Sequence, residues 1–430
     1  MSRILLLSLN YAPEPTGFAP HSTALAEHLA SQGHVVTVVT GFPFAPRWRR
    51  WPEYRGHISQ TGTHNGVRLV RLTHFVPRRP GSAVQRAAME GSFAAAALLA
   101  VLFRLFKRDR FDLVIYAGAQ PAIAWLARLL ASALDIPYVV KITDLATQAA
   151  VDVGIVRNRR LASILSRFEF SAYRRASAAI VLCEAFRQAL TAQGYPATAV
   201  HLIPDSIDLD WIGRIGDAQG LRTQLGLPAG SAVALYSGSF GLKQGLADVI
   251  RAAALGAGEI DIRWVLVGEG EARPALEEQV REHDLADRVY LLPLQADDRV
   301  AETLAAADIL ILSQLRSVKD TVIPSKLLMY MAAGRAVLAA VNPGSQAAAL
   351  VREAGGGLVV EPEDPVAIAK GVKAMLADRN RLNEMAQRNR MYAAEHFDRR
   401  VILREQQQLI ERVASDRDRQ RFVHASAGRQ

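Results

Sequence analysis

The stretch AVALYSGSFGLKQGLADVI, residues 232–250, joins an apolar run to a helix-like segment through a glycine-rich turn. The turn contains Gly238, Gly241 and Gly245 and one lysine, Lys243. A strand, a glycine turn and a helix in this order predict a strand end that meets a helix N-terminus, where anions are favoured. The spacing fits neither the P-loop nor the G-x-G-x-x-G dinucleotide pattern. The alternative is a turn that only connects two elements.

Strand-like apolar runs alternate with helix-like segments twice along the chain. The first series runs from RILLLSL (3–9) to AAIVLC (178–183), and the second from AVALYSG (232–238) to GLVV (357–360). Near-continuous apolar strands that alternate with helices predict parallel sheets covered on both faces. We therefore predict an α/β fold of two Rossmann-like domains.

The boundary between the two series falls in VHLIPDSIDLDWI, residues 200–212, where a strand ends at Pro204 and polar turn residues follow. We expect an N-terminal domain over residues 1–204 and a C-terminal domain over 205–390. Residues 391–430 are expected to form a crossover helix and a tail.

Two more strand ends in the second series carry residues suited to an anion. In open α/β sheets, ligands lie outside the carboxyl ends of the strands. The residues are Gly268, Glu269 and Gly270 after one strand, and Pro324, Ser325 and Lys326 before a helix. Ser325 is predicted to cap that helix, so that its N-terminus and Lys326 face the same anion. With Ser237, Gly238, Ser239 and Lys243, these residues suit a nucleotide diphosphate.

The composition is that of a globular protein. The chain has 430 residues, of which 50% are hydrophobic and 22% charged, and its only cysteine is Cys183. A disulfide framework is therefore excluded, and a reducing cytoplasm is expected. We interpret the apolar N-terminus as a buried first strand and not as a signal peptide. No segment is expected to supply the ~20 apolar residues of a spanning helix, the nearest being Phe93–Phe103.

The net charge of +9 is unevenly distributed. Residues 1–215 contain 24 Lys and Arg against 14 Asp and Glu, whereas the remainder contains 27 against 28. A basic N-terminal half suggests an anionic partner, although it is also compatible with a merely soluble basic surface. Aromatic and basic residues interleave only in RWRRWPEYR (47–55), so we do not expect nucleic acid to be the partner.

A helix-like segment over residues 78–110 suggests that the partner is an anionic membrane. Its large apolar residues are Phe93, Leu98, Leu99, Leu102, Phe103 and Phe106, and its basic end contains Arg104, Lys107, Arg108 and Arg110. With RWRRW (47–51), it suits the interface of an anionic bilayer. We expect a peripheral contact at the inner face of the cytoplasmic membrane. The alternative is a helix that only packs on its sheet.

The order of the motifs resembles a known family. NYAPEPTG, SQGHVVTVVT, FPFAPRW, IPDSID, YSGSFGLKQGLADVI, VGEG and IPSKLLMYMAAGRAV follow each other as in retaining GT-B glycosyltransferases of family 4. The subgroup that the chain resembles is the colanic-acid type fucosyltransferases of bacterial exopolysaccharide biosynthesis. The resemblance runs from Arg3 to the helix near residue 410.

This resemblance implies a GT-B fold with a central cleft, a nucleotide-sugar donor in the C-terminal domain and a lipid-linked saccharide acceptor against the N-terminal domain. Ser237, Gly238, Ser239 and Lys243 would hold the donor diphosphate, and Ser325 and Lys326 its second phosphate side. Gly268, Glu269 and Gly270 would line the nucleoside, and Gly17 would lie at the cleft. Lys243 and Lys326 would stabilise the leaving diphosphate, because fixed cations stabilise developing negative charge.

The chain departs from the family pattern at two places. Met329 occupies the position of the second Glu of E-x7-E, and the first would fall near Thr321, beside Asp320. The turn Gly118–Pro121 lacks the histidine that many relatives have there. Asp144 is the candidate replacement, unless it only caps a helix. His21 is the second candidate, unless it is simply an exposed histidine.

No cofactor is expected, since the nucleotide-sugar is a substrate, and no D-x-D pair at a strand end predicts a metal. Two other functions stay open on the same scaffold. One is a nucleotide-sugar-binding partner protein that has lost catalysis, and the other is a UDP-sugar 2-epimerase.

Overall fold

The computed structural model describes residues 1–15, 17–106, 109–152, 156, 158–213, 219–255, 261–318 and 324–427. It divides into two compact units. The N-terminal unit comprises Met1–Asp205 and Arg400–Gln430, and the C-terminal unit comprises Ser206–Arg399.

The N-terminal unit is built on an eight-stranded sheet. Its strands are β1 (Arg3–Leu7), β2 (Val35–Gly41), β3 (Ser59–His64), β4 (Val67–Leu72), β5 (Leu113–Gly118), β6 (Tyr138–Ile142), β7 (Ala178–Val181) and β8 (Val200–Leu202). The order is β3-β4-β2-β1-β5-β6-β7-β8. Every pair is parallel except β3 with β4.

In the described part of this unit, six helices connect the strands: α1 (Ala19–Ser31), α2 (Ala83–Phe106), α3 (Pro121–Leu134), α4 (Ala146–Asp152), α5 (Arg159–Tyr173) and α6 (Glu184–Ala192). They alternate with the strands as the sequence pattern predicts. Apolar residues of β1 and α1, among them Ile4, Leu6 and Leu25, form a core in which no side chain is more than slightly exposed.

The C-terminal unit contains six strands that are all parallel. They are β9 (Ala232–Ser237), β10 (Ile262–Val267), β11 (Val289–Leu292), β12 (Ile309–Ser313), β13 (Ala336–Ala340) and β14 (Gly357–Val360), in the order β11-β10-β9-β12-β13-β14. The pairings are parallel throughout. The strand order reverses between β9 and β12, which is where ligands bind in open α/β sheets.

Nine helices flank this sheet: α7 (Leu209–Gly213), α8 (Gln219–Gln224), α9 (Leu246–Leu255), α10 (Arg273–Glu282), α11 (Asp297–Ala305), α12 (Ser325–Ala332), α13 (Gln346–Ala354), α14 (Pro365–Leu376) and α15 (Arg379–His396), among the described residues. Val233 and Leu235 pack on one face of the sheet, and Ala234 and Tyr236 on the other. Burial on both faces explains why these strands are almost wholly apolar.

The last helix, α16 (Arg399–Ala427), belongs to the N-terminal unit from Arg400 onwards. Ile402, Leu403, Leu409 and Ile410 join the core of that unit. His34 Nε2 donates a hydrogen bond to Glu411 Oε1 at 3.1 Å, since its Nδ1 accepts one from Ser2 N. The helix is thus an integral part of the unit's packing.

Helix α2 corrects one expectation from the sequence. Over Ala83–Arg104 it is long and apolar enough, by length and composition, to cross a membrane, so the expectation that no segment is suitable was wrong. Length and composition are weak evidence, because core helices pass the same test. Met89, Phe93, Ala97 and Val101, four residues apart, form a buried stripe.

The half-buried carboxylate of Glu90 makes the stability of the N-terminal unit depend on pH. Burial raises the pKa of Glu90 to about 7; the backbone hydrogen bond from Ala122 opposes this rise, and the charge of Glu169 adds to it. A raised folded-state pKa means that the folded state binds the proton more tightly than the unfolded state. Glu90 therefore contributes stability below pH 4.5, and this contribution disappears as the pH rises to about 7.

Glu90→Gln should flatten this dependence. We expect the variant to gain stability relative to wild type between pH 5 and pH 7.5, by on the order of 2–3 kcal/mol, because the amide needs no proton. Denaturant unfolding at the two pH values measures the difference. An equal pH dependence in wild type and variant would contradict the assignment.

Candidate functional site

The candidate site begins where β9 and β10 end. Gly238 donates its N–H to Val267 O at 2.9 Å, and Phe240 donates its N–H to Glu269 O at 2.8 Å. The turn after β9 and the turn after β10 are therefore joined by backbone hydrogen bonds. The structure thus brings together the predicted residues Ser237, Gly238, Ser239, Gly268, Glu269 and Gly270.

Two glycines are required by the close approach of these turns. A Cβ on Gly268 would lie 1.8 Å from the Gly238 carbonyl oxygen, and a Cβ on Gly270 would lie 2.4 Å from the Phe240 carbonyl oxygen. Since real side chains never come so close, neither position accepts another residue without moving a loop. The two glycines that were predicted to line the nucleoside are thus also needed for the packing of the turn after β10 against the turn after β9.

Arg273, at the start of α10, fixes the same turns. Its Nη1 donates to Gly268 O at 3.0 Å, its Nη2 donates to Leu291 O at 3.2 Å, and its guanidinium lies 5.9 Å from the Phe240 ring centroid. Phe240 is fully buried. Sequence reasoning missed both residues, although the arginine follows VGEGEA directly.

Lys326 reaches the turn after β9 from the first turn of α12. Its Nζ donates to Tyr236 Oη at 2.6 Å and to Gln244 Oε1 at 2.9 Å, and it lies 4.4 Å from the Tyr236 ring centroid. A Cβ on Gly238 would lie 3.0 Å from this Nζ. No described carboxylate forms a salt bridge with Lys326, so the ammonium has only neutral partners.

This environment disfavours the charged form of Lys326. Burial lowers the pKa of its ammonium from 10.5 to about 7. Although the residue as a whole is partly exposed, it is the ammonium, enclosed by Tyr236, Gln244 and Gly238, that titrates. An anion bound beside it would restore the charge, because opposite charges favour ionisation.

The capping prediction for Ser325 was wrong. Pro324 is the N-cap of α12, and no side chain caps the helix. Ser325 is the first helical residue and is exposed. Since proline fixes φ near −65°, the backbone at Pro324 is already set for the helix to begin one residue later. Its φ is −61°.

Tyr330, one turn after Lys326, holds the end of β9. Its hydroxyl accepts from Ser237 N at 2.9 Å and donates to Ser237 O at 3.0 Å. The residue is fully buried. Ser237 therefore has its backbone groups satisfied by a side chain from α12, which fixes the position of the turn relative to Lys326.

Lys243 differs from Lys326 because its side chain is exposed. It lies in a 3-10 turn, Leu242–Gln244, and its carbonyl accepts from Leu315 N at 2.8 Å. None of the described acidic residues forms a salt bridge with it. The turn therefore presents Lys243 and Ser239 to solvent, whereas α12 places the ammonium of Lys326 in the interior.

Of the two positions at which the family has the glutamates of E-x7-E, the structure describes only the second. Met329 is half-buried in α12, while Asp320 and Thr321 lie outside the described residues. Within the described residues, no group of three or more His, Cys, Asp or Glu side chains is arranged to hold a metal ion.

In the N-terminal unit, His21 is part of a buried ionic cluster. Its Nδ1 lies 3.6 Å from Asp205 Oδ1, and Lys141 Nζ lies 3.1 Å from the same oxygen. Burial alone would raise the pKa of Asp205, but the charges of His21 and Lys141 outweigh it and hold that pKa below its usual value. His21 is therefore not the simple exposed histidine of the alternative interpretation. A lysine inside the apolar strand VVKI was the signal for such a cluster.

Asp144 and Gly17 lie at the carboxyl edge of the same sheet. Asp144 follows β6, is half-buried and accepts from Leu145 N at 2.8 Å. The first N–H groups of α4, on Ala146 and Thr147, donate to Glu169 instead. Gly17 is exposed, with φ +67°. The functional role of Asp144 stays a prediction.

Glu14 connects two sequence motifs, NYAPEPTG and FPFAPRW, to which the sequence analysis gave no structural role. Its carboxylate is buried and accepts from Phe44 N and Ala45 N at 2.7 Å each, and from Asn10 Nδ2 at 2.8 Å. One side chain therefore fixes the NYAPEPTG loop against the FPFAPRW loop. Both loops follow strands that end at the edge where Asp144 lies.

Two family models match the chain. The model described as "Glycosyl transferase 4-like domain" matches residues 16–205, and "Glycosyl transferases group 1" matches residues 217–392. The two matches lie in the N-terminal and the C-terminal unit, respectively.

Curated relatives and solved structures agree with these matches. The putative colanic acid biosynthesis glycosyl transferase WcaI of Escherichia coli K12 is 29% identical, over 94% of this chain and 98% of that protein. The 2-deoxystreptamine glucosyltransferase of Streptomyces kanamyceticus is 26% identical, over 68% of this chain and 72% of that protein.

Two solved structures share the fold. Sucrose-phosphate synthase from Thermosynechococcus elongatus has a TM-score of 0.75 at 20% identity, over 97% of this chain and all of that one. HepE of Anabaena in complex with UDP has a TM-score of 0.69 at 18% identity, over 96% and 100%. The predicted fold class is confirmed.

The packing of the two turns predicts a sharp difference between two glycines. Gly268→Ala should displace the turn after β9 and weaken binding of UDP or GDP at least tenfold, with a loss of about 1–3 kcal/mol in stability. Gly241→Ala is the matched control, because nothing lies within 4 Å of its Cβ. Titration calorimetry and thermal unfolding measure both. Equal effects of the two substitutions would contradict the proposed packing.

Proposed function

We propose that this chain is a glycosyltransferase of GT-B architecture that transfers a sugar from a nucleotide-sugar donor to a lipid-linked saccharide acceptor. The donor is proposed to bind the C-terminal unit, with the diphosphate at the turn after β9. The pathway proposed is bacterial exopolysaccharide or cell-surface polysaccharide biosynthesis, on the strength of the likeness to WcaI. The transferred sugar is a hexose or fucose.

The observation that carries this proposal is the buried ammonium of Lys326. It lies beside Gly238, at the carboxyl end of β9, where open α/β sheets bind ligands. It has neutral hydrogen-bond partners only, among the described residues. A diphosphate at this turn would supply the missing negative charge. The UDP in the structure of HepE supports a uridine nucleotide as one candidate.

The chemistry follows from charge. The bond between the sugar C1 and the diphosphate oxygen breaks, the oxygen of the acceptor hydroxyl bonds to C1 in its place, and the hydroxyl proton passes to the departing diphosphate. Negative charge develops on the departing diphosphate, so that fixed cations at Lys326 and Lys243 lower the barrier. No cofactor or metal enters the proposal. We propose that the anomeric configuration of the sugar is retained. Retention requires the acceptor oxygen to approach C1 from the face that the diphosphate leaves, and NMR of the fresh product shows which anomer has formed.

Asp144, His21 and Gly17 are proposed for the acceptor half. Asp144 is the residue with which the acceptor hydroxyl would interact, since its carboxylate follows a strand end. His21 lies beside Asp205, which also pairs with Lys141, and this favours a positioning role. Neither alternative, a binding partner protein without catalysis or a 2-epimerase, would transfer a sugar to an acceptor. Slow release of free sugar from the donor in the absence of acceptor distinguishes transfer chemistry from binding alone.

Exposed apolar side chains on two helices support peripheral binding of the N-terminal unit to a membrane. Leu99, Leu102 and Phe103 of α2 are exposed. On α5, Leu161, Ile164, Leu165 and Phe168 are exposed and follow the i, i+3, i+4, i+7 pattern of one helix face. Helix α3 contacts both α2 and α5. Side chains of this kind, near a basic flank, suit the interface of an anionic bilayer.

Arginines flank the face of α5. Arg159, Arg160 and Arg167 are exposed, whereas its one acidic residue, Glu169, is buried. Of the basic end predicted for α2, Lys107 and Arg108 lie outside the described residues, as does the side chain of Phe106. We propose peripheral docking at the inner face of the cytoplasmic membrane, where a lipid-linked acceptor would be found.

Removal of the cations should impair transfer. Lys326→Met and Lys243→Met should each lower kcat/KM at least a hundredfold, since each tenfold loss corresponds to about 1.4 kcal/mol of transition-state stabilisation. Lys370→Met, on the exposed face of α14, is the matched control and should behave as wild type. A radiolabelled-donor transfer assay measures all three. Wild-type rates in both site variants would refute the donor assignment.

Charged residues on the exposed face should weaken membrane binding. Ile164→Glu and Leu102→Glu should each lower co-sedimentation with anionic liposomes severalfold, because a carboxylate opposes both burial and the anionic surface. Met391→Glu, on an exposed residue of α15, is the control. Binding should require anionic lipid and fade with salt. Failure of the folded, active wild type to sediment with either lipid would contradict docking.

A further inference from the structure

A cavity of about 540 Å³ lies in the C-terminal unit, away from the donor turns. Its lining includes the residues that immediately precede three strands: Ser231 before β9, Asp308 before β12 and Arg335 before β13. In a parallel sheet, these amino ends lie at the edge opposite to the carboxyl ends. The cavity and the turn after β9 are therefore at opposite ends of the same strand.

The cavity carries more positive than negative charge. Arg222, Arg335 and Arg379 line it, and Asp308 is the one carboxylate among its described lining residues. Asp308 Oδ2 accepts from Arg222 at 2.7 Å and from Val233 N at 2.8 Å, and its Oδ1 accepts from Arg379 at 2.5 Å. One carboxylate shared by two guanidiniums leaves a net charge of about +2 with Arg335 included.

The guanidinium of Arg335 has a buried N–H group without a hydrogen-bond partner among the described residues. Its Nη2 donates to Ala305 O at 2.6 Å, but its buried Nε has no hydrogen-bond partner among the described residues. Burial lowers the pKa of Arg335, the charge of Asp308 opposes this, and the charge of Arg222 adds to it. A buried guanidinium next to a second one is costly unless negative charge is near.

The rest of the lining combines apolar residues, Leu227 and Pro228 among them, with the polar residues Gln219 and Ser231. The volume is in the usual range for small-molecule sites, which combine apolar walls with a few polar groups. Guanidiniums match the geometry of phosphate oxygens, and several of them together select a doubly charged group.

We infer that this cavity is a second anion site, which binds a small molecule carrying a phosphate or a similar dianionic group. The site does not depend on the donor turns, since none of Ser237, Lys243 or Lys326 lines it. A sugar phosphate and free inorganic phosphate share this chemistry, and the experiment must distinguish them.

The test is titration calorimetry with inorganic phosphate, ribose 5-phosphate and ribose at constant ionic strength. It uses the whole chain with Lys243→Met and Lys326→Met combined, which removes phosphate binding at the donor turns. We expect phosphate and ribose 5-phosphate to bind this background at one site, and ribose not to bind it. Tighter binding of ribose 5-phosphate than of phosphate identifies the sugar phosphate as the class, and equal Kd values identify phosphate alone.

Two arginine substitutions in the same background localise the site. Arg335→Met and Arg379→Met should each raise the Kd at least tenfold, and Arg381→Met, on an exposed arginine of α15, should not. Arg379 is 55% exposed in its side chain, so its variant is expected to fold even if the Arg335 variant does not. Hydrogen exchange should show protection at residues 305–308.

Three results would overturn the inference: an unchanged Kd in folded Arg335→Met and Arg379→Met, loss of binding in the lysine background, or no binding by the wild type at ~10 mM phosphate.

Discussion

The ammonium of Lys326 is the constraint on which the donor half depends. A buried cation costs several kcal/mol unless negative charge is close. Here Tyr236 Oη and Gln244 Oε1 accept its hydrogen bonds at 2.6 and 2.9 Å, and the Tyr236 ring lies 4.4 Å away. These neutral groups reduce the free-energy cost of burying the ammonium, but they do not neutralise its charge. The strand end, the glycine turn and the start of α12 are thus arranged around a group that is most stable when an anion is present.

The two units bury a lysine in opposite ways. In the N-terminal unit, Lys141 lies 3.1 Å from Asp205, and His21 Nδ1 lies 3.6 Å from the same carboxylate. The ion pair of Lys141 and Asp205 balances its own charge and needs no ligand. In the described part of the C-terminal unit, Lys326 has no such partner. The contrast separates a structural ion pair from a cation kept available for a substrate, which is why the diphosphate is assigned to the C-terminal unit.

Much of the fold could be predicted from the sequence, because buried parallel strands leave long apolar runs between helices. β3 could not: its segment SQTGTH is fully exposed and has no hydrophobic pattern. The site was located by its glycines and lysines, whereas the partners of Lys326 were missed, because Tyr236 is 90 residues away in sequence. The capping role given to Ser325 was wrong because Pro324 begins the helix. Local signals identify chemistry, but contacts across the sheet decide which group is buried and which is paired.

The charge state of Lys326 is tested most directly by the number of protons taken up when UDP or GDP binds at pH 8. Since burial lowers the pKa of Lys326 to about 7, the amine is largely neutral at that pH, and a bound diphosphate should recharge it. Calorimetric titrations in two buffers with different ionisation enthalpies give this number. We expect uptake of about one proton per nucleotide in the wild type and none in Lys326→Met. Tight binding of the nucleotide without proton uptake at pH 8, equal in wild type and variant, would contradict it.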